Sequence, residues 1–150
     1  MVVYRISKKL YINDLQGTGC KYESGRWHQI GTQILYTSET ISLAKLEVLA
    51  NANRMPIEMY VAYIDVPLEL MIDEISVKEL PNDWNHNPYP IKLAQKVEEW
   101  KKKEKSIALK VPSVHSPTEK NIILNPHHQN YSEVRIIKVE PISFDPRFFK

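Results

Sequence analysis

The segment from Gly25 to Glu47 constrains the fold most, because it sets three polar side chains into otherwise apolar patterns. Arg26 stands between a glycine and a tryptophan, Tyr36 lies in a short strand predicted at residues 34–37, and Glu47 lies in the helix-like run that follows. Three of the four glycines lie between positions 17 and 25; a long turn is the simpler interpretation, and a close approach of backbone to a ligand is the alternative.

A helix is predicted to begin after Ser38, whose hydroxyl is a candidate cap, and to end near Asn53. Helical spacing predicts one buried stripe, formed by Leu43, Leu46, Glu47 and Ala50. A carboxylate on such a stripe is costly unless it is paired or functional. Two interpretations of Glu47 therefore stay open: a structural ion pair, for instance with Arg26, and a functional site.

The rest of the chain predicts more strands than helices, without the regular alternation of a doubly wound sheet. Strands are predicted at 2–6, 59–66, 70–75, 108–111, 122–124 and 134–139. Polar and proline-rich stretches at 14–24 and 80–90 predict loops. A second helix is predicted at 91–105, with an apolar side formed by Ile91, Ala94, Val97 and Trp100. These elements favour an α+β fold in one domain spanning residues 1–150.

Composition argues against several classes of protein. The chain is 43% hydrophobic and 25% charged, as a globular protein is, and a net charge of +2 gives no basis for direct contact with nucleic acid. The lone Cys20 excludes an internal disulfide and fits a reducing compartment. Neither a signal peptide nor an apolar run of membrane-spanning length is recognisable. We therefore expect a cytoplasmic protein that does not contact membranes.

Common catalytic motifs are also missing from the sequence. The glycines complete neither a phosphate-binding loop nor a dinucleotide fingerprint. His127 and His128 are adjacent, which on a strand would point them to opposite sides, so no metal site is expected. Nothing in the sequence activates Cys20 as a nucleophile, and Ser113 lacks the context of a nucleophile elbow.

The remaining polar residues suit the cleavage of an N-glycosidic bond in a dinucleotide. The guanidinium of Arg26 can bind a pyrophosphate through two parallel hydrogen bonds. The ring of Tyr36 can stack on a planar heterocycle or a cationic nicotinamide. The carboxylate of Glu47 can hold ribose hydroxyls and stabilise an oxocarbenium-like transition state. This chemistry is compatible with the residues, although their spacing alone does not single it out.

Short motifs follow one another through nearly the whole chain. They are Tyr4-Arg5-Ile6, Gly25-Arg26-Trp27, Leu35-Tyr36-Thr37-Ser38-Glu39, Leu43-Ala44, Leu46-Glu47, Leu80-Pro81, Trp84, Val111-Pro112-Ser113, Asn121, Leu124-Asn125-Pro126-His127 and Phe144-Asp145-Pro146-Arg147. In this order they resemble the RES domain family, named for an arginine, a glutamate and a serine. Two positions depart from the family pattern: His28 replaces an asparagine, and Glu98-Glu99 replace a glycine-aspartate pair before Trp100.

The resemblance implies an α+β fold similar to ADP-ribosyltransferases and a bacterial toxin that degrades NAD. It implies that Arg26 binds the NAD phosphates, that Tyr36 packs near the nicotinamide and that Glu47 acts on the nicotinamide ribose. Further residues that it implies in NAD binding are Trp27, Ser113 and Asn125. NAD would be a consumed substrate rather than a cofactor, with water or inorganic phosphate as the acceptor.

The resemblance also implies a partner, an antitoxin with a helix-turn-helix DNA-binding domain that blocks the cleft, and it suggests a homodimer. Two alternatives stay open at this point. One is an ADP-ribosyltransferase that modifies a macromolecule, and the other is a binding module that has lost its activity.

Overall fold

One mixed β-sheet organises the computed structural model, which describes residues 1–67, 69–70 and 72–150. Within this part of the chain the sheet has seven strands: β1 (Val2–Lys8), β2 (Leu35–Ser38), β3 (Met59–Asp65), β4 (Ile72–Glu74), β5 (Ala108–Pro112), β6 (Lys120–Leu124) and β7 (Arg135–Ile142). Their order across the sheet is β4-β5-β6-β2-β1-β3-β7. Only β4 and β5 pair in parallel among these neighbours. With the helices α1 (Ile41–Ala50) and α2 (Lys92–Lys103), this confirms the predicted α+β class.

Each face of the sheet contributes to a separate hydrophobic core, because consecutive side chains of a strand point to opposite sides. Ile122 packs in one core, with the buried Tyr131 and Val134. Ile123 packs in the other, where α2 and a set of tryptophans cover the sheet. The tryptophans of this second core are Trp27, Trp84 and Trp100. Asn121 is two residues before Ile123 and therefore points to the side of the second core.

Helix α1 packs against β1 and β2, and its start differs from the prediction. Thr40 is the cap, since its side chain accepts a hydrogen bond from the amide of Leu43 at 3.1 Å. Ser38 is instead the last residue of β2, and its hydroxyl donates to Asn121. The assignment of Ser38 as cap was therefore wrong, because its hydroxyl is bonded to the side chain of Asn121 on the neighbouring strand.

The predicted buried stripe of α1 is only partly correct. Leu43 is buried and Glu47 is half-buried, but Leu46 is 40% exposed and Ala50 is exposed as well. Seven of the ten residues of this helix are apolar, and they are spread around it, so periodicity in the sequence does not identify which side packs on the sheet. The helix also ends at Ala50, three residues before the predicted end.

The other boundaries agree with the sequence within a few residues. A short 3-10 helix, Thr18–Lys21, interrupts the predicted loop at 14–24. The predicted strand at 70–75 is shorter, Ile72–Glu74, and Met71 lies outside the described residues. Ile91 precedes α2 and is 54% exposed, whereas Leu93 takes its place on the buried side. No helix in the described part of the chain is long and apolar enough to cross a membrane.

Candidate active site

The Glu47 carboxylate lies where α1 meets the ends of β2, β5 and β6. Its Oε1 atom accepts two hydrogen bonds, from the Asn121 amide at 2.6 Å and the Ser113 hydroxyl at 3.0 Å. Its Oε2 atom lies 3.6 Å from Nε2 of His115, and the side chain is 33% exposed. Oε1 is therefore held by two donors, and the side chain as a whole remains partly exposed.

Asn121 is held by the strand pairing itself. It lies opposite Ser38 in the register of β2 and β6, and the Ser38 hydroxyl donates to its Oδ1 at 2.7 Å. Because Oδ1 is the acceptor of this bond, the amide nitrogen is directed to Glu47. The sequence analysis placed Asn121 only within a motif and did not assign it a site role. If the register of β2 and β6 were known, it would place the buried Ser38 opposite the buried Asn121 in two otherwise apolar strands, and this pair would indicate a site.

Ser113 lies just beyond β5 and is almost fully buried, with 1% of its surface exposed. Its hydroxyl donates to Glu47 and accepts from the backbone amide of His115 at 3.1 Å. This second bond ties the chain after β5 to the carboxylate. The structure thus brings Ser113 together with Glu47, as the sequence analysis expected, and adds His115, which that analysis did not consider.

Arg26 is anchored by two backbone carbonyls of the loop before α2. Its Nη1 donates to Trp84 at 2.7 Å and to His86 at 2.9 Å, and the guanidinium lies 5.2 Å from the ring centroid of Tyr89. Both hydrogens of Nη1 are thereby used, and the described residues provide no hydrogen-bond partner for Nε or Nη2. The Nε and Nη2 edge of the guanidinium, which can form paired hydrogen bonds with an anion, is therefore available.

A structural ion pair between Arg26 and Glu47 is not among the salt bridges of the described residues. The two groups still influence one another. Burial lowers the pKa of Arg26, and the negative charge of Glu47 partly opposes that change. The cation and the carboxylate are therefore near enough to interact electrostatically, without forming a direct salt bridge.

Tyr36 supports the loop that carries Arg26. His28 Nε2 lies 2.7 Å from the carbonyl of Glu23, so this nitrogen carries the proton and Nδ1 is an acceptor. The Tyr36 hydroxyl donates to Nδ1 at 2.6 Å and accepts from the amide of Trp27 at 3.3 Å. Burial raises the pKa of Tyr36, so the phenol stays protonated. The hydroxyl forms its hydrogen bonds within the protein, so that only the ring is left to contact a ligand.

Gly25 is required by this packing. A Cβ atom at Gly25 would lie 2.8 Å from both the Tyr36 hydroxyl and Cε1 of His28, closer than side-chain atoms tolerate. The close approach that the glycine permits at this position is thus to the protein itself. Gly17 behaves similarly, with φ +64° and the carbonyl of Ile34 only 2.1 Å from the position of a Cβ atom.

Two of the expected binding residues have other surroundings. Trp27 is 3% exposed and packs in the core beneath α2, so its side chain anchors the neighbouring Arg26. Asn125 follows β6 and is 1% exposed; its Oδ1 accepts from the amide of His127 at 3.0 Å. The structure therefore brings together Arg26, Tyr36, Glu47 and Ser113, but it surrounds Trp27 and Asn125 with protein atoms. Roles for these two residues in substrate contact stay predictions.

The described residues give no support for a metal site or for a cysteine nucleophile. The described residues contain no cluster of histidine, cysteine and carboxylate side chains that could hold a metal ion. Cys20 is buried, its thiol donates to the carbonyl of Ile34 at 3.3 Å, and burial raises its pKa. A raised pKa disfavours the thiolate, so Cys20 has no feature of a nucleophile.

The fold and the site define an α+β domain in which one glutamate is fixed by two side-chain donors and one arginine is anchored by two backbone carbonyls. The profile of the RES domain matches residues 2–145. The chain belongs to the RES domain family.

Relatives and a solved structure agree with this assignment. A Photorhabdus laumondii protein named Toxin Res is 35% identical, with 100% of this chain and 98% of that protein aligned. The Prs ADP-ribosylating toxin of a Sphingobium species is 31% identical over 92% of this chain and 88% of its own. The crystal structure of the M. tuberculosis MbcT–MbcA toxin–antitoxin complex contains a similar fold, with a TM-score of 0.70 at 14% identity, covering 95% of this chain and 84% of that one.

Proposed function

We propose that this protein is a toxin that degrades NAD by cleaving the bond between nicotinamide and its ribose. The observation that carries the proposal is the state of Glu47. Oε1 of this carboxylate is fixed by two donors, while Oε2 has no donor closer than His115 Nε2 at 3.6 Å among the described residues and the side chain is one-third exposed. A carboxylate held in this way can act on a ribose without being free to rotate.

The reaction breaks the bond between C1′ of the ribose and N1 of nicotinamide. The bonding electrons leave with nicotinamide, which becomes neutral, and positive charge develops at C1′ and the ring oxygen. The negative charge of Glu47 stabilises this oxocarbenium-like state, and Oε2 accepts a hydrogen bond from a ribose hydroxyl. An acceptor then forms the new bond at C1′ and loses its proton to solvent or to the site.

Arg26 supplies the complementary charge for the pyrophosphate. Its Nη1 is used by the carbonyls of Trp84 and His86, so the guanidinium is held with its Nε and Nη2 edge available. Paired bonds from this edge to phosphate oxygens would place the nicotinamide ribose toward Glu47. The ring of Tyr36, fixed through its hydroxyl, provides an aromatic surface for the heterocycle.

Transfer of ADP-ribose to a macromolecule is the second candidate. It uses the same site and the same bond cleavage, with a protein or nucleic-acid group in place of water or phosphate. The name of the Sphingobium relative, an ADP-ribosylating toxin, favours it. The half-exposed Glu47 is compatible with either acceptor, so the acceptor must be identified from the products.

An antitoxin is the proposed partner. Relatives that align over nearly their full length are named as toxins, and the structural neighbour was solved as a toxin–antitoxin complex. We propose that the antitoxin carries a helix-turn-helix DNA-binding domain and that this chain itself does not contact DNA. A homodimer remains part of the proposal.

Labelled NAD incubated with purified protein tests the function and names the acceptor. Free ADP-ribose would indicate hydrolysis, ADP-ribose 1″-phosphate formed only with added phosphate would indicate phosphorolysis, and labelled macromolecules from a cell extract would indicate transfer. Intact NAD in all three conditions, with no antitoxin retained on the protein, would refute the proposal and favour a binding module.

A further inference from the structure

His115 lies beside the Glu47 carboxylate, and its ring takes no part in the hydrogen bonds that hold that carboxylate. Its Nε2 atom is 3.6 Å from Oε2 of Glu47, beyond the length of a hydrogen bond, and its side chain is 27% exposed. Among the described residues, neither ring nitrogen of His115 has a hydrogen-bond partner. The imidazole is therefore available to accept or donate a proton at the edge of the site.

The backbone, rather than the ring, fixes the position of His115. Its amide donates to the Ser113 hydroxyl at 3.1 Å, and that hydroxyl donates to Oε1 of Glu47. The preceding Val114 is partly buried against the second core, and the Ser113 amide donates to the carbonyl of Glu119 at 3.3 Å, which closes the loop. The chain around the ring is thus held in place, while both ring nitrogens stay available for proton transfer.

The separation of Nε2 of His115 and Oε2 of Glu47 suits one bridging oxygen atom. An oxygen about 2.8 Å from each atom, an ordinary hydrogen-bond length, closes a triangle whose base is the 3.6 Å separation. A water molecule there can donate one hydrogen to each atom, because Oε2 and an unprotonated Nε2 are both acceptors. Dianionic phosphate suits this position less well, since the negative charge of Glu47 repels it.

We propose that His115 is the base that takes the proton of the acceptor, and that the acceptor is water. The inference rests on the proposed function, which brings the nicotinamide ribose to Glu47. As the bond from C1′ to nicotinamide breaks, the water oxygen gives an electron pair to C1′. One of its O–H bonding pairs then returns to that oxygen as the proton passes to Nε2. The products are nicotinamide, ADP-ribose and a protonated His115, which releases the proton to solvent.

Glu47 assists both parts of this step through one negative charge. Its carboxylate faces the positive charge that develops on the ribose and, after the water has reacted, the imidazolium whose Nε2 lies 3.6 Å from Oε2. The positive charge therefore moves from C1′ to His115 without leaving the surroundings of the carboxylate. Proton transfer to a positioned base commonly contributes about 100-fold or more to a rate.

The test measures cleavage of NAD by His115→Ala and His115→Gln, with and without sodium azide. Azide attacks as an anion and has no proton to lose, so it needs no base. We expect both variants to lower kcat about 100-fold with the KM for NAD nearly unchanged, because His115 contacts the acceptor rather than NAD. Azide should raise the rate of His115→Ala about tenfold or more, with little change in the wild type. The product in that reaction should be ADP-ribosyl azide, identified by mass spectrometry.

The matched control is His127→Gln, because His127 is exposed and the charged groups at its ring are Lys21 and Lys101. It should cleave NAD at the rate of the wild type. Both substitutions of His115 keep the backbone bond to Ser113, so the loop should stay folded, and thermal unfolding of each variant checks this.

The outcomes separate this inference from the proposed function. A wild-type rate in His115→Gln would overturn the role of His115 as a base. A loss in His115→Ala that azide does not restore would also overturn it and would favour a structural ion pair with Glu47. A wild type that cleaves NAD only with added phosphate would overturn water as the acceptor, while the proposed function stands. If the wild type cleaves no NAD at all, the proposed function fails and the inference fails with it.

Discussion

Asn121 provides the sharpest test of how the fold prepares its carboxylate. Its amide donates to Glu47 at 2.6 Å, and hydrogen bonds to charged groups contribute about 1.5–3 kcal/mol. If that contribution is realised in the transition state, Asn121→Ala should lower kcat about 10- to 150-fold. The KM for NAD should change little, because the proposal assigns the substrate phosphates to Arg26 rather than to Asn121.

Ser38 should act only through Asn121. Its hydroxyl donates a neutral hydrogen bond to Oδ1, of a kind that contributes about 0.5–1.5 kcal/mol, so Ser38→Ala should lower kcat about 2- to 12-fold. The double variant should be no slower than Asn121→Ala alone, because Ser38 influences Glu47 only through Asn121 and the loss of Asn121 already removes that influence.

The assay is initial-rate release of nicotinamide, separated by chromatography, with thermal unfolding recorded for each variant. Asn82→Ala, at an exposed position of the loop before α2, is the control. The reasoning fails if Asn121→Ala retains kcat within a factor of two of the wild type, or if the losses in the double variant simply multiply. A loss of activity that tracks a loss of folded protein would likewise refute a positioning role.

Three further predictions concern the support of the arginine loop. Tyr36→Phe should retain more activity than Tyr36→Ala, because the ring remains while the hydroxyl bonds only His28 and Trp27; equal losses in kcat/KM would show that the hydroxyl, and not the ring, is what activity requires. Burial lowers the pKa of His28 below the ordinary value of 6.5, so the folded state favours the neutral ring. The contribution of the neutral His28 ring to the free energy of unfolding is fully present above pH 6.5 and is lost as the pH falls through the lowered pKa. Chemical denaturation at several pH values should therefore show a fall in stability at low pH in the wild type and a weaker fall in His28→Asn. Gly25→Ala should raise the KM for NAD more than it lowers kcat, because the displaced loop carries Arg26; an unchanged KM would mean that the loop accommodates the methyl group.

Much of the fold could be predicted because its strands are short, β-branched and bounded by turns. The Glu47 site could be predicted only in part, for a different reason. Local spacing indicated that the carboxylate was unusual, but its partners Ser113 and Asn121 come from β5 and β6, which lie far away in sequence. Strand register brings them together, and a single sequence does not contain that register.

Errors in the sequence analysis arose where one residue had two physical uses. Ser38 has the residue type of a helix cap, yet its hydroxyl is used by Asn121 across the sheet, and Thr40 caps the helix. Trp27 lies in the second core, and its contact with the substrate stays a prediction. At Ser38, tertiary contacts decided between two uses that the local sequence permits equally.

The most direct test of the central claim is the rate of nicotinamide release from NAD by the wild type, Glu47→Gln and Glu99→Gln. Glu99 is an exposed glutamate on α2 and controls for the loss of one negative charge. If Glu47 stabilises the transition state as proposed, the loss of its charge should slow Glu47→Gln by about 100-fold or more, with Glu99→Gln at the rate of the wild type. Equal rates for all three proteins would contradict the account, because cleavage would then not depend on the carboxylate that the fold holds in place.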